Sequence, residues 1–165
     1  PEAFDSGALR DPFLYYEGVT TGDSSLSAAI QSAAAASVDE KNRADEHFNQ
    51  ALFLDLANTH GNTADGVHLA NCGGIWNAII LGMAGLSFEV DGIKIAPTGW
   101  CVGDEVSVLL HVRSSLLELK IRRDGTSVQL KAGKPIQLLT PHEAISAHET
   151  PVFVPAVFPS AFQRG

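Results

Sequence analysis

Apolar residues recur along the chain with two different periods, and the change between them falls near residue 85. Up to that point three segments, residues 25–38, 40–56 and 67–83, have apolar positions at helical spacing or are apolar almost throughout. Beyond it, Val, Ile and Leu alternate with polar residues in short runs, which is typical of strands. The sequence therefore predicts an α+β protein, with helices over residues 1–85 and an antiparallel β-sandwich over residues 86–165.

The third predicted helix, residues 67–83, is apolar almost all round. Such a helix is normally buried on every side, and three helices cannot enclose it. We therefore expect partner helices outside this sequence, and exposed apolar surface near residues 75–81 when the chain is isolated. The first residue, Pro1 rather than Met, and the weakly patterned, loop-like stretch after it lead to the same expectation of a piece of a longer protein.

In the second region, Asp91-Gly92 between two short apolar runs predicts a tight hairpin. The segment after Thr140 contains four prolines among apolar residues, and it is expected to pack as an irregular strap or an edge strand. Trp100, at the start of this region, is expected to pack in the interior.

The charge of the chain excludes one class of partner. It has 11 basic and 19 acidic residues, a net charge of -8, whereas nucleic-acid binding depends on clustered Lys and Arg. No apolar stretch reaches the roughly 20 residues of a membrane-spanning helix, so we expect a cytoplasmic protein without a membrane partner. Two cysteines, Cys72 and Cys101, are too few for a disulfide scaffold and are expected to be buried thiols.

One candidate for chemistry is the start of the third helix, where Gly66 precedes His68 in the run Asn62 to His68. Glycine lets backbone N–H groups approach an anion, the helix N-terminus favours negative charge, and the imidazole can donate a hydrogen bond. The alternative is ordinary: a histidine satisfied in the core after a turn glycine.

A second candidate is Asp23-Ser24-Ser25 at the start of the first predicted helix, where clustered hydroxyls could bind an oxyanion. Here too the alternative is structural, because Asp and Ser commonly cap the free N–H groups of a first helical turn.

Taken together, these segments resemble a known family. Tyr15-Tyr16-Glu17, the runs from Thr20 to Ser27 and from Asn62 to His68, Leu54-Asp55-Leu56, and Gly74-Ile75-Trp76 are similar in order and spacing to glycoside hydrolase family 65, which includes maltose, kojibiose and trehalose phosphorylases. The resemblance covers about residues 13–140. It differs at Gly18, where the family usually has proline, and at Gly22, where it often has a basic residue.

The resemblance implies a fold and a reaction. The helices would be the last ones of an (α/α)6 barrel, followed by the β-sandwich. The reaction would be inverting phosphorolysis of an alpha-glucoside to beta-glucose 1-phosphate, with inorganic phosphate as co-substrate and no other cofactor. Phosphate would bind at Ser24, Ser25, Gly66 and His68. The family's general-acid glutamate lies in a Gly-Pro-Asp-Glu-Tyr-like motif that this sequence lacks, so the chain alone is expected to be inactive.

Implied partners are the disaccharide, phosphate, the remainder of the barrel and a second copy in a homodimer.

A hydrolase of the same family is an alternative, in which Glu17 or Asp23 would act as base. A non-catalytic carbohydrate-associated sandwich is another. Tyr15-Tyr16 could stack on sugars. No metal is expected, because His142-Glu143 and His148-Glu149 lie in the proline-interrupted tail and no Cys or Asp completes a set.

Overall fold

The structure is a computed structural model and describes residues 6–90 and 92–157. These residues form two compact units, a helical unit up to Ile79 and a sheet unit from Ile80 onward. The α+β class predicted from the hydrophobic pattern is confirmed. None of the helices among these residues is long and apolar enough to cross a lipid bilayer.

The elements follow the predicted order of helices first and strands second. The helices are α1 Ser6–Val19, α2 Ser27–Ser37, α3 Lys41–Phe53 and α4 Leu69–Asn77, with a 3-10 turn at Thr63–Asp65 and a π-helical segment at Ala78–Met83 after α4. The strands are β1 Leu86–Phe88, β2 Ile93–Ile95, β3 Val106–Val112, β4 Ser115–Arg122, β5 Gly125–Ala132, β6 Ile136–Leu139, β7 Ala144–Ala147 and β8 Val152–Pro155.

Helix α1 corrects the expectation of a loop-like N-terminal stretch. The segment is helical over 14 residues although Pro12 lies inside it, where proline removes a backbone donor and disfavours a helix. Side chains on α1 pair with charges at α3: Arg10 with Glu40, and Glu17 with both Arg43 and His47. These tertiary contacts favour the helix where local propensity does not.

Small residues bring the other helices close together. The Ser32 hydroxyl on α2, fully buried, donates to the Ala44 carbonyl on α3 at 2.8 Å. A Cβ placed on Gly74 of α4 would lie 2.8 Å from the Cβ of Ala29 on α2, closer than side chains tolerate. The alanines of α2 therefore serve helix packing, and Gly74 permits the close approach of α4.

The sheet unit contains two four-stranded sheets, in the orders β1-β2-β6-β7 and β3-β4-β5-β8. All neighbouring pairs are antiparallel except β2 and β6, which are parallel. The entirely antiparallel arrangement predicted from the sequence is therefore wrong at this pair. The reason is topological: β3, β4 and β5 form in the other sheet between β2 and β6, and this long crossover lets β6 return in the same direction.

Alternating side chains of these strands form the core of the sheet unit. Leu117, Leu119 and Ile121 on β4 are fully buried, as are Ile93 and Ile95 on β2. Burial of each such side chain stabilises the fold by about 1.5–3 kcal/mol. Trp100 is 2% exposed, which confirms its predicted place in the interior.

The C-terminal segment confirms the expected edge strand. Strand β7 lies at one sheet edge beside β6, and β8 lies at an edge of the other sheet beside β5. Pro155 is the last residue of β8, a position where its missing N–H is tolerated. The predicted β1–β2 hairpin is present, and Asp91 of its predicted turn lies outside the described residues.

The two thiols differ in their surroundings. Cys101 is buried as predicted and its S–H donates to the Ile121 carbonyl at 3.3 Å. Cys72 is exposed, so the expectation of two buried thiols is wrong for this residue. Helix α4 buries the face that carries Asn71. Ala78, two helical turns later and therefore on the same face, is buried as well. Cys72 lies about 100° around the helix from Asn71, outside that face.

Candidate functional site

Asp55 holds His68 by two hydrogen bonds at the start of α4. The backbone N–H of His68 donates to Oδ2 of Asp55 at 2.9 Å, and Nδ1 of the ring lies 2.5 Å from Oδ1. The side chains are 23% and 17% exposed, so both are partly shielded from water. His68 is thus fixed both in its backbone and in its ring.

The charge of the pair follows from these contacts. The side-chain hydrogen bond from His68, and then the bond from its backbone N–H, lower the pKa of Asp55 below the usual value of an aspartate. An ionised carboxylate only accepts hydrogen bonds, so Nδ1 of His68 carries a proton. The opposite ring nitrogen, Nε2, lies 3.4 Å from the side-chain nitrogen of Asn62, a long contact that leaves Nε2 weakly engaged.

Asp55 is the member of this group to which sequence reasoning gave no role. It follows α3 by two residues and lies 13 positions before His68, and no helical or strand period connects the two. The family resemblance includes Leu54-Asp55-Leu56, but a motif match does not show which side chain the carboxylate meets.

Hydrogen bonds between its own residues stabilise the loop that precedes His68. Asn58 Oδ1 accepts from the Thr63 backbone N–H at 3.0 Å and from its hydroxyl at 2.6 Å. Gly66 has φ 126° and ψ 169°, a conformation open mainly to glycine, and no heavy atom lies within 4 Å of where its Cβ would be. Gly66 is therefore required by the backbone turn, with open space beside it.

Ser24 and Ser25 precede α2 rather than beginning it. The helix was expected to start at Ser25 and starts at Ser27. Ser24 is exposed; its hydroxyl oxygen accepts from the Leu26 N–H at 3.3 Å and its carbonyl accepts from the Ser27 N–H at 3.0 Å. This is the local turn chemistry considered as the structural alternative, and it explains the late start of the helix. Ser25 is half-buried and Asp23 is exposed.

The two candidate helix starts lie at the same end of the helical unit. The hydrogen bond between Ser32 and Ala44 and the short connection between the helices show that α2 and α3 are antiparallel. The end of α3, which contains Ala51, is therefore directed toward the start of α2. The Asn71 amide, in the first turn of α4, donates to the Ala51 carbonyl at 2.7 Å. The starts of α2 and α4 therefore both adjoin the last turns of α3.

Glu17 is engaged on both carboxylate oxygens. Arg43 pairs with Oε2, and Nε2 of His47 lies 2.8 Å from Oε1. The Glu17 side chain is only 11% exposed. Each oxygen of the carboxylate thus has one partner on α3, and Glu17 links α1 to α3.

The remaining candidates lie on the surface. Tyr15 and Tyr16 are 67% and 64% exposed, with ring centroids 5.3 Å apart in an edge-to-face pair. Across residues 6–90 and 92–157, no three His, Cys, Asp or Glu side chains are grouped as a metal site would require, and this holds for the tail histidines His142 and His148.

The fold and the sequence were compared with those of known proteins. A solved structure from the human microbiome, provisionally named a kojibiose phosphorylase, superposes with a TM-score of 0.82 at 23% identity over 93% of this chain and 23% of that chain. This likeness defines the fold class: an α+β region that shares its fold with the matching part of that structure.

The sequence comparisons define the family. Residues 1–77 match the model of the glycosyl hydrolase family 65 central catalytic domain. The chain is 38% identical over 151 residues to an alpha,alpha-trehalose phosphorylase of Geobacillus stearothermophilus, covering 81% of this chain and 20% of that protein. It is 30% identical over 138 residues to a kojibiose phosphorylase of Caldanaerobacter subterraneus subsp. tengcongensis, covering 81% and 18%. The chain belongs to glycoside hydrolase family 65, and it spans about a fifth of the length of these curated relatives.

Proposed function

We propose that this chain is part of an inverting disaccharide phosphorylase, which cleaves an alpha-glucoside of the trehalose, maltose or kojibiose type with inorganic phosphate. The products would be beta-glucose 1-phosphate and glucose. The names of the relatives support phosphorolysis as the reaction. In this proposal α2, α3 and α4 are among the last helices of an (α/α)6 barrel, and the sheet unit is the domain that follows it.

In an inverting enzyme a carboxylic acid protonates the leaving oxygen while a nucleophile attacks the opposite face of the sugar. Phosphate takes the place of the base and water of a hydrolase. The protein must then hold a dianion with hydrogen-bond donors and with the positive ends of helices. We assign this task to Ser24, Ser25, Gly66 and His68.

The observation that carries the assignment is the position of the two helix starts at one end of the helical unit, with the His68 ring fixed at one of them. In the proposal, donors from the segments before α2 and before α4 address one anion from two sides. The open space around Gly66 leaves room for an oxyanion beside its backbone. The general acid lies outside this sequence in the proposal, and the chain by itself is inactive.

A hydrolase of the same family is the competing function, with Glu17 or the exposed Asp23 as the base. Arg43 and His47 occupy both oxygens of Glu17, an arrangement that suits a carboxylate joining two helices better than one that activates water. For this reason we favour phosphorolysis.

The test is release of glucose 1-phosphate from trehalose, maltose and kojibiose by the complete enzyme, with and without phosphate. We expect cleavage only with phosphate, and a loss of about 100- to 1,000-fold in His68→Ala, the cost typical of one lost donor to a charged reacting group. His60→Ala is the matched control, because His60 is exposed and lies nearby in the sequence.

The outcomes separate the candidates. Release of glucose at the same rate without phosphate would replace the phosphorylase with the hydrolase, and either Glu17→Gln or Asp23→Asn would then have to abolish activity. Full activity in His68→Ala would remove His68 from the site. Activity in the 165-residue chain alone would contradict a general acid outside it.

A further inference from the structure

Two features of His68 call for an explanation beyond its proposed contact with phosphate. Asp55 engages the ring and the backbone of the same residue, and it does so from the turn that follows α3. A ring held only for packing would need neither a charged partner nor two points of attachment. Within the proposed site, an orienting group for the imidazole is the simplest purpose of such a carboxylate.

We propose that Asp55 is the positioning residue of the anion site: it holds the His68 ring through Nδ1 and so presents Nε2 to the phosphate. The proposal rests on the proposed function of His68. With Nδ1–H on the carboxylate, Nε2 is directed to the other side of the ring, where the long Asn62 contact is the interaction that an incoming oxyanion would displace.

The electrostatics favour this arrangement. To donate from Nε2 while Nδ1–H stays on Asp55, the ring must carry a positive charge. The ionised carboxylate on one side and the phosphate dianion on the other both stabilise that charge, and partial shielding from water strengthens both interactions. Asp55 thereby holds the ring so that Nε2 faces the incoming phosphate.

The backbone bond adds a second effect. Because the same carboxylate holds the N–H of His68, it also fixes the residue that precedes the first turn of α4. Loss of Asp55 would therefore disturb the direction of the ring and the start of the helix together. A substitution has to separate these effects, and Asp55→Asn does so because the amide keeps the size of the side chain and can still accept from the backbone N–H.

The first measurement is the tautomer of His68 in the 165-residue chain, read from the nitrogen chemical shifts of its ring under alkaline conditions where the ring is neutral. The signal is assigned by its loss in His68→Gln. In the unmodified protein the proton should reside on Nδ1. In Asp55→Asn the amide N–H₂ can donate to Nδ1, and the proton should move to Nε2.

Glu46→Gln is the matched control, since it removes one carboxylate from an exposed position on α3 and should leave the tautomer unchanged. Asp55→Glu retains the carboxylate and should keep the proton on Nδ1. Circular dichroism establishes that each variant is folded. A His68 ring with the same tautomer in Asp55→Asn as in the unmodified protein would overturn the positioning role, whatever reaction the enzyme catalyses.

The second measurement is phosphorolysis by the complete enzyme. Asp55→Asn should raise the KM for phosphate by about 10- to 100-fold, comparable to the loss of metal affinity when the partner of a metal-ligating histidine is removed, with the KM for the disaccharide unchanged. Asp55→Glu should recover part of the loss. A changed tautomer with an unchanged KM for phosphate would overturn the link to the anion while phosphorolysis stands. An unmodified enzyme that needs no phosphate would refute the proposed function instead.

Discussion

At the scale of single residues, the two thiols give a direct check of the fold. Burial raises the pKa of the Cys101 thiol, so less thiolate is available at a given pH, and the side chain is also closed to reagents. Cys72 is exposed on α4. We therefore expect a maleimide to modify Cys72 within minutes in the folded protein and Cys101 only after unfolding.

Mass spectrometry of the digested protein measures the two sites separately, and Cys72→Ser serves as the control that should show no rapid labelling. Rapid modification of Cys101 in the folded Cys72→Ser protein would mean that reagents reach the interior beside β4. That result would contradict the buried hydrogen bond between Cys101 and the Ile121 carbonyl.

The residues also show where sequence reasoning ends. His68 and Gly66 could be singled out because their chemistry is local: a glycine in a turn and an imidazole before a helix. The partner of His68 could not, since Asp55 is brought to it by the path of the chain after α3. Cys72 was misjudged because an apolar run does not show which of its members faces outward.

At the scale of elements, the ion pairs between α1 and α3 account for a helix that its sequence does not favour. Glu17 accepts from Arg43 and His47 while largely shielded from water. Glu17→Gln should reduce the free energy of unfolding by about 1–2 kcal/mol, the range for hydrogen bonds to a charged group that is partly exposed. Denaturation by urea, followed by circular dichroism, measures this change.

Glu46→Gln is the control, expected to change the free energy of unfolding by less than about 0.5 kcal/mol as an exposed substitution. If Glu17→Gln leaves the free energy of unfolding unchanged but abolishes the activity of the complete enzyme, Glu17 does not serve to link the helices. That result would favour a role for Glu17 as the base of a hydrolase.

The elements that the sequence predicted are those with a strong period, α2, α3, α4 and the strands. Helix α1 was missed because Pro12 and the weak pattern around it indicate a loop, and the stabilising partners lie on another helix. The parallel pairing of β2 with β6 was missed for a related reason: alternation fixes which face of a strand is buried but leaves its neighbours and their direction open.

At the scale of the whole molecule, the two units differ in how completely they bury their apolar residues. In the sheet unit, Ile and Leu side chains on β2 and β4 are fully buried. Both units leave large apolar side chains in water, and more of them lie on the helical unit. The expected exposure near residues 75–81 is found at Trp76 on the helical unit, 40% exposed, and at Leu81 just after its end, 45% exposed. Further apolar exposure occurs at Ile30, Leu56 and Leu69. Such surface is what the missing helices of a barrel would cover in the proposed enzyme.

This difference makes a prediction about the isolated chain. Leu56 and Leu69 are each 78% exposed, and burying one leucine is worth about 1.5–3 kcal/mol, so the helical unit should drive self-association as the protein concentration rises. Sedimentation velocity over a range of concentrations measures it. Leu69→Gln should weaken association by about tenfold or more, equivalent to about 1.4 kcal/mol. Val90→Gln removes an 84% exposed apolar side chain from the sheet unit and is the control: it leaves association unchanged if the helical unit forms the contact, whereas equal weakening would place the contact on the sheet unit. A chain that stays monomeric and melts cooperatively would mean that the helical unit is complete without partner helices, and the barrel proposal would then lose its physical basis.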